Sequence, residues 1–349
     1  MLYKAKNPHG GDIYEGGIRL DFSANTNPMG MPESVKQAAV SSLEYADRYP
    51  DPYARGLVSS ISAYHGVPED YVLAGAGAAE MIYSYCQEGG FKKALMTAPT
   101  FSEYGLALET TGCEIIRHYL KEEDGFTLDD GIISHIREAG PDAVFICNPN
   151  NPTGKLADHE LMLEIIGVTE DLGAKLFVDE CFVELAGGRS LTEFLGSCSN
   201  LTILRAFTKN YGMAGLRLGY VLSSDSEYLK GMSERVQPWN ISMPAQAAGV
   251  AALKEKDFLS ESVELIKRER IRLQKGLKDL GLKSVDSDVN FILFKGPEDL
   301  YDRMKEQGIL IRNCDNYEGL GTDWYRIAVK LPDENTELLR TMEEVLGKE

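Results

Sequence analysis

The chain has 349 residues, enough for one large domain and one smaller one. Its hydrophobic content of 43% and charged content of 26% are ordinary for a soluble globular protein, and no apolar run approaches the roughly 18 residues of a transmembrane span. The formal net charge of −18 argues against nucleic acid and anionic membranes as partners, although it is compatible with a locally cationic pocket.

The N-terminal sequence and the cysteine spacing bear on localisation and on metal binding. Residues 1–8 lack the apolar core of a signal peptide, which predicts a cytoplasmic protein. The six cysteines form no CxxC pair and no metal-ligand spacing. We therefore expect free, mostly buried thiols and no metal site.

Strand-like and helix-like segments alternate between about residues 54 and 235. Strands are predicted at 71–74, 94–97, 142–147, 175–178, 201–204 and 216–222, and helices at 78–88, 102–111 and 158–172. This alternation is typical of a doubly wound, mainly parallel sheet with helices on both faces. The sequence therefore predicts an α/β protein with a large three-layer domain, which we assign to residues 36–235.

The last third of the chain has a different pattern. Residues 244–281 have the pattern of one continuous helix with charges spaced along it, and 333–347 that of a capped final helix. Between them, 290–294 and 324–329 are predicted strands. We therefore predict a small α+β domain over residues 236–349.

Three polar side chains follow three of the predicted strands. Asn151 lies in the turn after the run at 142–147, Asp179 ends the run at 175–178, and Lys209 comes shortly after the run at 201–204. Ligands of open α/β sheets bind at the carboxyl ends of the strands, so we expect these side chains to lie together. A lysine can hold pyridoxal 5′-phosphate as a Schiff base while a carboxylate pairs with the pyridine nitrogen. An amide, an acid and an amine at these positions therefore suit a pyridoxal phosphate site.

With Thr208 and Arg217 added, this arrangement resembles the fold-type I superfamily of pyridoxal phosphate-dependent aminotransferases. Lys209 stands in a segment rich in small residues, and Arg217 follows it by eight residues, a spacing that the superfamily shares. The resemblance implies that Lys209 and Asp179 are catalytic and that both bind the cofactor. It also implies a homodimer, and an N-terminal arm at residues 1–35 that packs onto the small domain.

The resemblance also identifies the neighbours of the cofactor's ring oxygen O3′. Asn151 matches the amide of the family's Asn-Pro-Thr-Gly motif. Many aminotransferases carry a tyrosine three residues after the acid, but Phe182 takes that position here and has no hydroxyl. We therefore expect Asn151 to be the remaining side-chain donor to O3′.

The turn at residues 75–80 is the predicted site of the cofactor phosphate. It joins a strand to a helix, and the free N–H groups of Ala78 and Ala79 at the helix N-terminus favour an anion. The resemblance adds Thr208 and Arg217, whereas Ala206 stands where the family often has another hydroxyl. Without the resemblance, the glycine pattern indicates only an ordinary tight turn.

Two aromatic residues complete the cofactor contacts that the resemblance implies. Phe101 stacks on the pyridine ring. Tyr49, in the context Arg-Tyr-Pro-Asp, sends its hydroxyl to the phosphate of the neighbouring subunit's cofactor. The alternatives are a core phenylalanine and a surface turn before a proline.

Arg326 and Arg312 are the candidate ligands of the substrate. The family places an arginine at the position of Arg326 to hold the substrate carboxylate as a bidentate pair. The alternative for Arg326 is a strand arginine that faces solvent. Arg312 is a second candidate anion ligand, because a substrate with both a carboxylate and a phosphate needs more cationic groups than one arginine supplies.

Four further stretches resemble the threonine-phosphate decarboxylase group, whose members make aminopropanol phosphate from L-threonine O-3-phosphate in cobalamin biosynthesis. They are residues 9–13, 20–32, 101–105 and 312–320, and Phe182 is usual in this group. The resemblance implies that His9, on an arm over the site, and Asn25 contact the substrate. Without it, the glycine-rich stretch at 9–13 is equally well a flexible arm.

Two other functions remain open. Histidinol-phosphate aminotransferases share the fold, most motifs and a phosphate-bearing substrate, and they transfer an amino group to 2-oxoglutarate. The same fold serves as an effector-binding module in some bacterial transcription regulators, but this sequence has no helix-turn-helix pattern and a net charge of −18. No motif separates decarboxylation from transamination, because the two differ in how the substrate is oriented.

Overall fold

The computed structural model describes residues 9–14 and 16–347. The strands in this part of the chain are β1 (Leu20–Asp21), β2 (Val72–Gly75), β3 (Lys93–Ala98), β4 (Glu114–Tyr119), β5 (Ala143–Cys147), β6 (Lys175–Asp179), β7 (Leu201–Ala206), β8 (Gly219–Ser223), β9 (Phe291–Lys295), β10 (Ile309–Leu310), β11 (Arg312–Asn313) and β12 (Trp324–Ala328). The α-helices are α1 (Glu33–Ser42), α2 (Arg55–His65), α3 (Ala78–Gly89), α4 (Glu103–Thr110), α5 (Gly131–Ala139), α6 (His159–Leu172), α7 (Phe207–Asn210), α8 (Ser226–Ser233), α9 (Met243–Ala252), α10 (Lys256–Asp279), α11 (Leu300–Glu306) and α12 (Pro332–Leu346).

Seven strands form the central sheet, in the order β2, β8, β7, β6, β5, β3, β4. Only β8 runs antiparallel to its neighbours, so the sheet is mainly parallel, as predicted. The strands β5, β6 and β7 are adjacent and parallel, so their carboxyl ends meet at one edge of the sheet. The three polar residues that the sequence analysis selected follow these strand ends.

Alternate residues of the central strands enter two different cores. In β5 all five residues are buried: Val144 and Ile146 join one core, while Phe145 and Cys147 join the other. Residues of α5 and α6 contribute to the first core, and residues of α3, α4 and α8 to the second. Because side chains alternate across a strand, a continuous apolar run requires a helical layer on each face. The sheet is thus the middle of three layers, and the predicted α/β class is confirmed.

A smaller antiparallel sheet lies in the C-terminal part of the chain, in the order β11, β12, β9. Near the other end of the chain, β1 pairs with β10, and Phe22 is buried in the core to which β9, β12 and α12 contribute. The N-terminal segment therefore contacts the C-terminal part. The domain boundaries after residues 35 and 235 stay a prediction, since α9 packs against α1 and α2.

The predicted single helix over 244–281 is wrong, because two helices, α9 and α10, occupy this stretch. Residues 253–255 separate them, with turn-type hydrogen bonds from Lys254 N to Ala251 O and from Glu255 N to Ala252 O. No glycine or proline stands at 253–255, so the sequence carries no local signal for the break. The contacts of α9 with α1 and α2 fix its direction independently of α10.

Two expectations from composition can be compared with the structure. All six cysteines are free and buried, which confirms the prediction for the thiols. In the part of the chain that the structure describes, no helix is both long enough and apolar enough to cross a membrane.

Candidate active site

The ends of β5, β6 and β7 enclose a cavity of about 150 Å³, which we call the inner cavity. Cys147 at the end of β5 pairs with Asp179 at the end of β6, and β7 leads directly into α7, which carries Lys209. Eight of the predicted cofactor-binding residues line this cavity: Ala78, Ala79, Phe101, Asn151, Asp179, Thr208, Lys209 and Arg217. The structure therefore brings together groups that the sequence spreads over 140 positions.

The carboxylate of Asp179 is buried, and both of its oxygens accept a hydrogen bond. Cys181 N donates to Oδ1 (2.9 Å) and the hydroxyl of Tyr104 donates to Oδ2 (2.6 Å). Burial raises the pKa of Asp179, although the hydrogen bonds from Cys181 and Tyr104 lower it in part. A cation beside this carboxylate would favour its ionised form, and a protonated pyridine nitrogen is such a cation.

Lys209 is half-buried, and on balance its surroundings favour the neutral amine. Burial and the nearby guanidinium of Arg326 lower the pKa of Lys209 to about 8. Its Nζ lies 5.7 Å from the ring centre of Phe182. A neutral amine is the form that attacks an aldehyde, so the site activates Lys209 for covalent attachment.

The lowered pKa of Lys209 predicts how pyridoxal phosphate attachment depends on pH. Below pH 8 the amine is protonated, so we expect the attachment rate of the apoenzyme to rise with pH and to level off above about 8. Replacement of Arg326 by glutamine removes a neighbouring cation and should move this inflection upward. The growth of the cofactor's visible absorbance measures the rate, and Nα-acetyl-lysine amide in solution controls for ionisation of the cofactor. An inflection that stays in place or moves down in Arg326→Gln would contradict this account.

The turn before α3 closes tightly around the side chain of Arg217. Gly77, at φ 97°, has no room for a side chain: an added Cβ would lie 2.9 Å from Nη2 of Arg217. A Cβ on Gly219 would lie 2.8 Å from the backbone nitrogen of Ala78. The N-terminus of α3, Arg217 and Thr208 all line the inner cavity, where such groups suit a phosphate.

The amide of Asn151 has a defined orientation. Its Oδ1 accepts from Arg326 Nη1 and from the hydroxyl of Tyr317 (3.3 Å), which leaves the NH₂ end as the donor. Phe182 lines the same cavity and packs edge-on against Phe291, with ring centres 5.1 Å apart. The predicted division of roles, in which Asn151 and not residue 182 donates to O3′, is compatible with these positions and stays a prediction.

Taken together, the inner cavity fits pyridoxal phosphate. It is lined by an acid, by the groups of a candidate anion site and by an amine whose pKa is lowered. Phe101 lines the cavity and supplies an aromatic face for a flat ring.

A second cavity of about 430 Å³, the outer cavity, adjoins the inner one and shares Lys209 with it. All four predicted substrate ligands line it: His9, Asn25, Arg312 and Arg326. Arg312 and Arg326 stand directly opposite each other on β11 and β12. Among the described residues that line this cavity, four are Lys or Arg and one, Glu103, is acidic. A strongly acidic chain therefore contains a cationic pocket.

Arg326 is held in place by polar groups of the N-terminal segment. Its Nη2 donates to the backbone oxygen of Ser23 (3.0 Å). With its amide oriented to match these donors, Asn25 accepts from Nε (3.1 Å) and Nη1 (3.2 Å). The hydroxyl of Tyr317 lies 3.3 Å from Nη1. Arg326 is 5% exposed as a residue, so the solvent-facing alternative for this arginine is wrong.

The arm residue His9 reaches over the outer cavity. Its Nε2 lies 2.6 Å from Oε1 of Glu103, and its ring centre lies 5.7 Å from that of Phe101. Across the cavity, Nη2 of Arg312 donates to Asn316 Oδ1 (2.5 Å). His9 and Arg312 thus line the same cavity.

Tyr49 lines neither cavity. Its side chain is 77% exposed and stacks on Trp239, with ring centres 4.6 Å apart, and Trp239 is itself 45% exposed. Two exposed, stacked aromatic rings are typical of a surface that another protein covers. The predicted contact with a neighbouring subunit's cofactor stays a prediction.

Three site residues have no role in the sequence analysis: Glu103, Tyr104 and Tyr317. Glu103 and the buried Tyr104 follow Phe101 closely and are the first two residues of α4. Tyr317 lies within the stretch 312–320 that the resemblance singled out. Their partners are distant in sequence, so only the tertiary structure identifies them.

Comparisons with known proteins agree with this geometry. The model of the family "Aminotransferase class I and II" matches residues 18–341. Threonine-phosphate decarboxylase of Salmonella typhimurium is 36% identical over 97% of this chain and 96% of its own length. The solved structure of histidinol-phosphate aminotransferase from Clostridium acetobutylicum is 32% identical, with a TM-score of 0.88 over 95% of this chain and 100% of that one.

The cofactor is also represented among the similar structures. That of histidinol-phosphate aminotransferase from Sinorhizobium meliloti, 22% identical, holds pyridoxal 5′-phosphate and has a TM-score of 0.85 over 95% of this chain and 91% of that one. Enzymes of the matched family use this cofactor, so the predictions of pyridoxal phosphate and of fold type I are confirmed. The chain belongs to the aminotransferase class I and II family of pyridoxal phosphate enzymes.

Proposed function

We propose that this chain decarboxylates L-threonine O-3-phosphate to aminopropanol phosphate and CO₂. The observation that carries the proposal is the pair of buried arginines, Arg312 and Arg326, which are neighbours on β11 and β12 and line the outer cavity together with Lys209. Each guanidinium can bind a carboxylate or a phosphate group through a charge-assisted hydrogen bond. Two of them in one cavity therefore suit a substrate with two anionic ends.

Each end of the substrate has a ligand in this proposal. Arg326 binds the carboxylate, because its fork is already oriented by Ser23 and Asn25. Arg312 and His9 bind the phosphate from opposite sides. Asn25 acts through Arg326 and also lines the cavity.

The two ligands decide which bond breaks. Bound pyridoxal phosphate supplies an electron sink for the electron pair of a bond at the substrate Cα. By fixing both ends of the substrate, Arg326 and Arg312 would select the bond between Cα and the carboxylate for cleavage. CO₂ would leave, and the protonated amine of Lys209 would supply the proton that takes its place on Cα. Asp179 would hold a proton on the pyridine nitrogen.

Two observations support decarboxylation over its nearest alternative. The decarboxylase relative is 36% identical over 97% of this chain. The resemblance to that group also implies a phenylalanine at the position of Phe182. Histidinol-phosphate aminotransferase is the second candidate, favoured by the 32% identity and the TM-score of 0.88 of a solved structure with that name. Both candidates take phosphate-bearing amines.

Replacement of Arg312 by glutamine tests the phosphate ligand. We expect kcat/KM for threonine phosphate to fall about ten- to a hundredfold, since a charged hydrogen bond of this kind contributes about 1.5–3 kcal/mol. Unphosphorylated threonine should be a poor substrate of the wild type and should lose little more in the variant. Steady-state kinetics with both substrates measures the difference.

The matched control is Arg303→Gln on α11, whose guanidinium is part-exposed and pairs with Asp299 on the surface (3.6 Å). It should leave both substrates unaffected. Equal losses for threonine and threonine phosphate in Arg312→Gln would show that Arg312 does not bind the phosphate.

We also propose a cytoplasmic homodimer in which Tyr49 completes the site of the neighbouring subunit. Tyr49→Ala and Lys209→Ala then damage complementary parts of each site, provided that Tyr49→Ala alone is severely impaired. After mixing and re-equilibration, heterodimers have one intact site, and we expect about a quarter of the wild-type activity. Activity assays of the mixture, with the mass measured by light scattering, check this.

A mixture of Lys209→Ala with Asp179→Asn is the control for subunit exchange. Lys209 and Asp179 come from the same chain in each site. Every site of a heterodimer therefore contains one of the two substitutions, and no activity should return. A fully active monomer, or a Tyr49→Ala mixture that recovers nothing after proven exchange, would rule out the shared site.

A further inference from the structure

The relative position of Lys209 and Asp179 depends on contacts outside the inner cavity. Asp179 is the last residue of β6, and Lys209 lies in α7, which has only four residues. Such a short helix is unstable alone, because its first hydrogen bond must fix several backbone dihedral angles. Pairing between β6 and β7 reaches only as far as the bond from Glu180 N to Leu204 O (2.9 Å), whereas β7 stays paired with β8 up to Ala206, directly before α7.

Four polar residues, three of them buried and one half-buried, connect the end of β6 to α7. We call them the Arg205 network: Glu180, Glu184, Arg205 and Asn210. Arg205, on β7, places Nη1 3.3 Å from Oε2 of Glu180 and Nη2 3.1 Å from Oε1 of Glu184. The side-chain amide of Asn210 donates to Oε2 of Glu184. The contacts therefore run without interruption from the residue after Asp179 to the residue after Lys209.

The network is mostly buried and lies outside the inner cavity, and its most exposed member is Glu184, whose side chain is 20% exposed. Glu180 is fully buried, and Arg205 and Asn210 are each 5% exposed. None of the four lines the inner cavity. Buried ion pairs often contribute less to stability than apolar residues of the same size, so stability alone does not account for them. A planar guanidinium can, however, fix two carboxylates from two points of the chain at once.

Other contacts hold the two ends of the network. Glu180 accepts from Ser190 Oγ (2.6 Å) and from Leu191 N (2.8 Å), so its carboxylate is fixed. On the opposite side of α7, Asn27 donates its backbone N–H to the carbonyl of Lys209 (2.9 Å) and its amide to the carbonyl of Asn210 (2.8 Å). Asn27 fixes α7 to the N-terminal segment, whereas the Arg205 network fixes it to β6.

We propose that the Arg205 network positions the amine of Lys209 relative to the carboxylate of Asp179. Glu184 and Asn210 are positioning residues that act through Lys209. The acid and the amine address the same bound cofactor, so their separation must match its ring. Misplacement by about 1 Å at a reacting group can lower a rate by about a hundredfold.

Asn210→Ala and Glu184→Gln test the proposal in the full-length apoenzyme with added pyridoxal phosphate. The measured quantity is the rate constant for condensation of the Lys209 amine with the cofactor aldehyde, which releases one water. We expect both variants to be slower by about tenfold or more. Glu184→Gln keeps the side-chain volume and an oxygen that can accept from Asn210, so it addresses the link to Arg205 with little disturbance of packing.

Asn200→Ala is the matched control. The Asn200 amide also makes two hydrogen bonds inside the large domain, to Thr169 Oγ1 (3.0 Å) and Ala174 O (3.2 Å), without contact to the network. It should attach the cofactor within about twofold of the wild-type rate, since the reacting groups keep their positions. Calorimetric unfolding of each apoprotein measures the general loss of stability separately.

Two results would overturn the proposal. One is attachment in Asn210→Ala and Glu184→Gln that is no slower than in Asn200→Ala at similar unfolding temperatures. The other is additive slowing in the Glu184→Gln/Asn210→Ala double variant, because two lesions in one chain of contacts should not add. No substrate is involved, so the outcome is independent of the decarboxylase proposal.

Discussion

Lys209→Ala is expected to abolish covalent attachment of pyridoxal phosphate and to lower turnover by about 10⁴-fold or more, since it removes both a nucleophile and a proton-transfer group. The reason is the burial of the amine: its pKa of about 8 provides a neutral nucleophile that a surface lysine does not. Borohydride reduction of the wild type followed by peptide mapping should find the pyridoxyl group on Lys209.

Lys175→Ala is the control for this experiment. Lys175 begins β6, at the opposite end of the strand from Asp179, and its ammonium pairs with Asp225 (2.6 Å). The variant should keep its attached cofactor. A label on any lysine other than Lys209, or attachment that persists in Lys209→Ala, would contradict the assignment.

Asp179→Asn is expected to lower turnover by about 10²–10³-fold, the usual cost of losing one fixed electrostatic group at a reacting centre. Asparagine keeps the shape and can accept from Cys181 N, but it cannot hold a proton on the pyridine nitrogen. Because burial raises the pKa of Asp179, the apoprotein loses no favourable charge and should be as stable as the wild type. Kinetics and apoprotein unfolding measure the two effects.

Tyr104→Phe calibrates this result, because it removes only the hydroxyl that donates to Asp179. Its loss should be smaller, about tenfold, as expected for one hydrogen bond to a charged group. If Asp179→Asn retains activity close to that of Tyr104→Phe, the carboxylate does not act as a charge beside the ring.

The sequence predicted those parts of the fold that bury continuous apolar runs. The strands β5, β6 and β7 are fully or almost fully buried, and their predicted positions agree with the structure to within two residues. The sequence did not predict the edge strand β4. This strand pairs with another strand on one side only, and all of its residues are exposed or half-buried. The turn between α9 and α10 was not predicted, since its cause is packing against α1 and α2.

The candidate site divides in the same way. Polar residues at the carboxyl end of a strand, such as Asp179, can be found from one sequence. The end of the strand places them at the edge of the sheet where ligands bind. Tyr104 and Tyr317 could not, because their partners Asp179 and Asn151 lie 75 and 166 residues away. The Arg205 network could not be found from the sequence either. Its charged and polar residues are of types that usually lie at the surface, and only the tertiary structure shows that most of them are buried.

The central claim is that two arginines hold a substrate so that its carboxylate bond breaks. The most direct measurement supplies carboxyl-labelled threonine phosphate to the holoenzyme without any keto-acid acceptor and follows labelled CO₂. The account predicts sustained release of one CO₂ for each aminopropanol phosphate formed. Turnover of histidinol phosphate that requires 2-oxoglutarate, with no CO₂ from threonine phosphate, would contradict it and establish the aminotransferase.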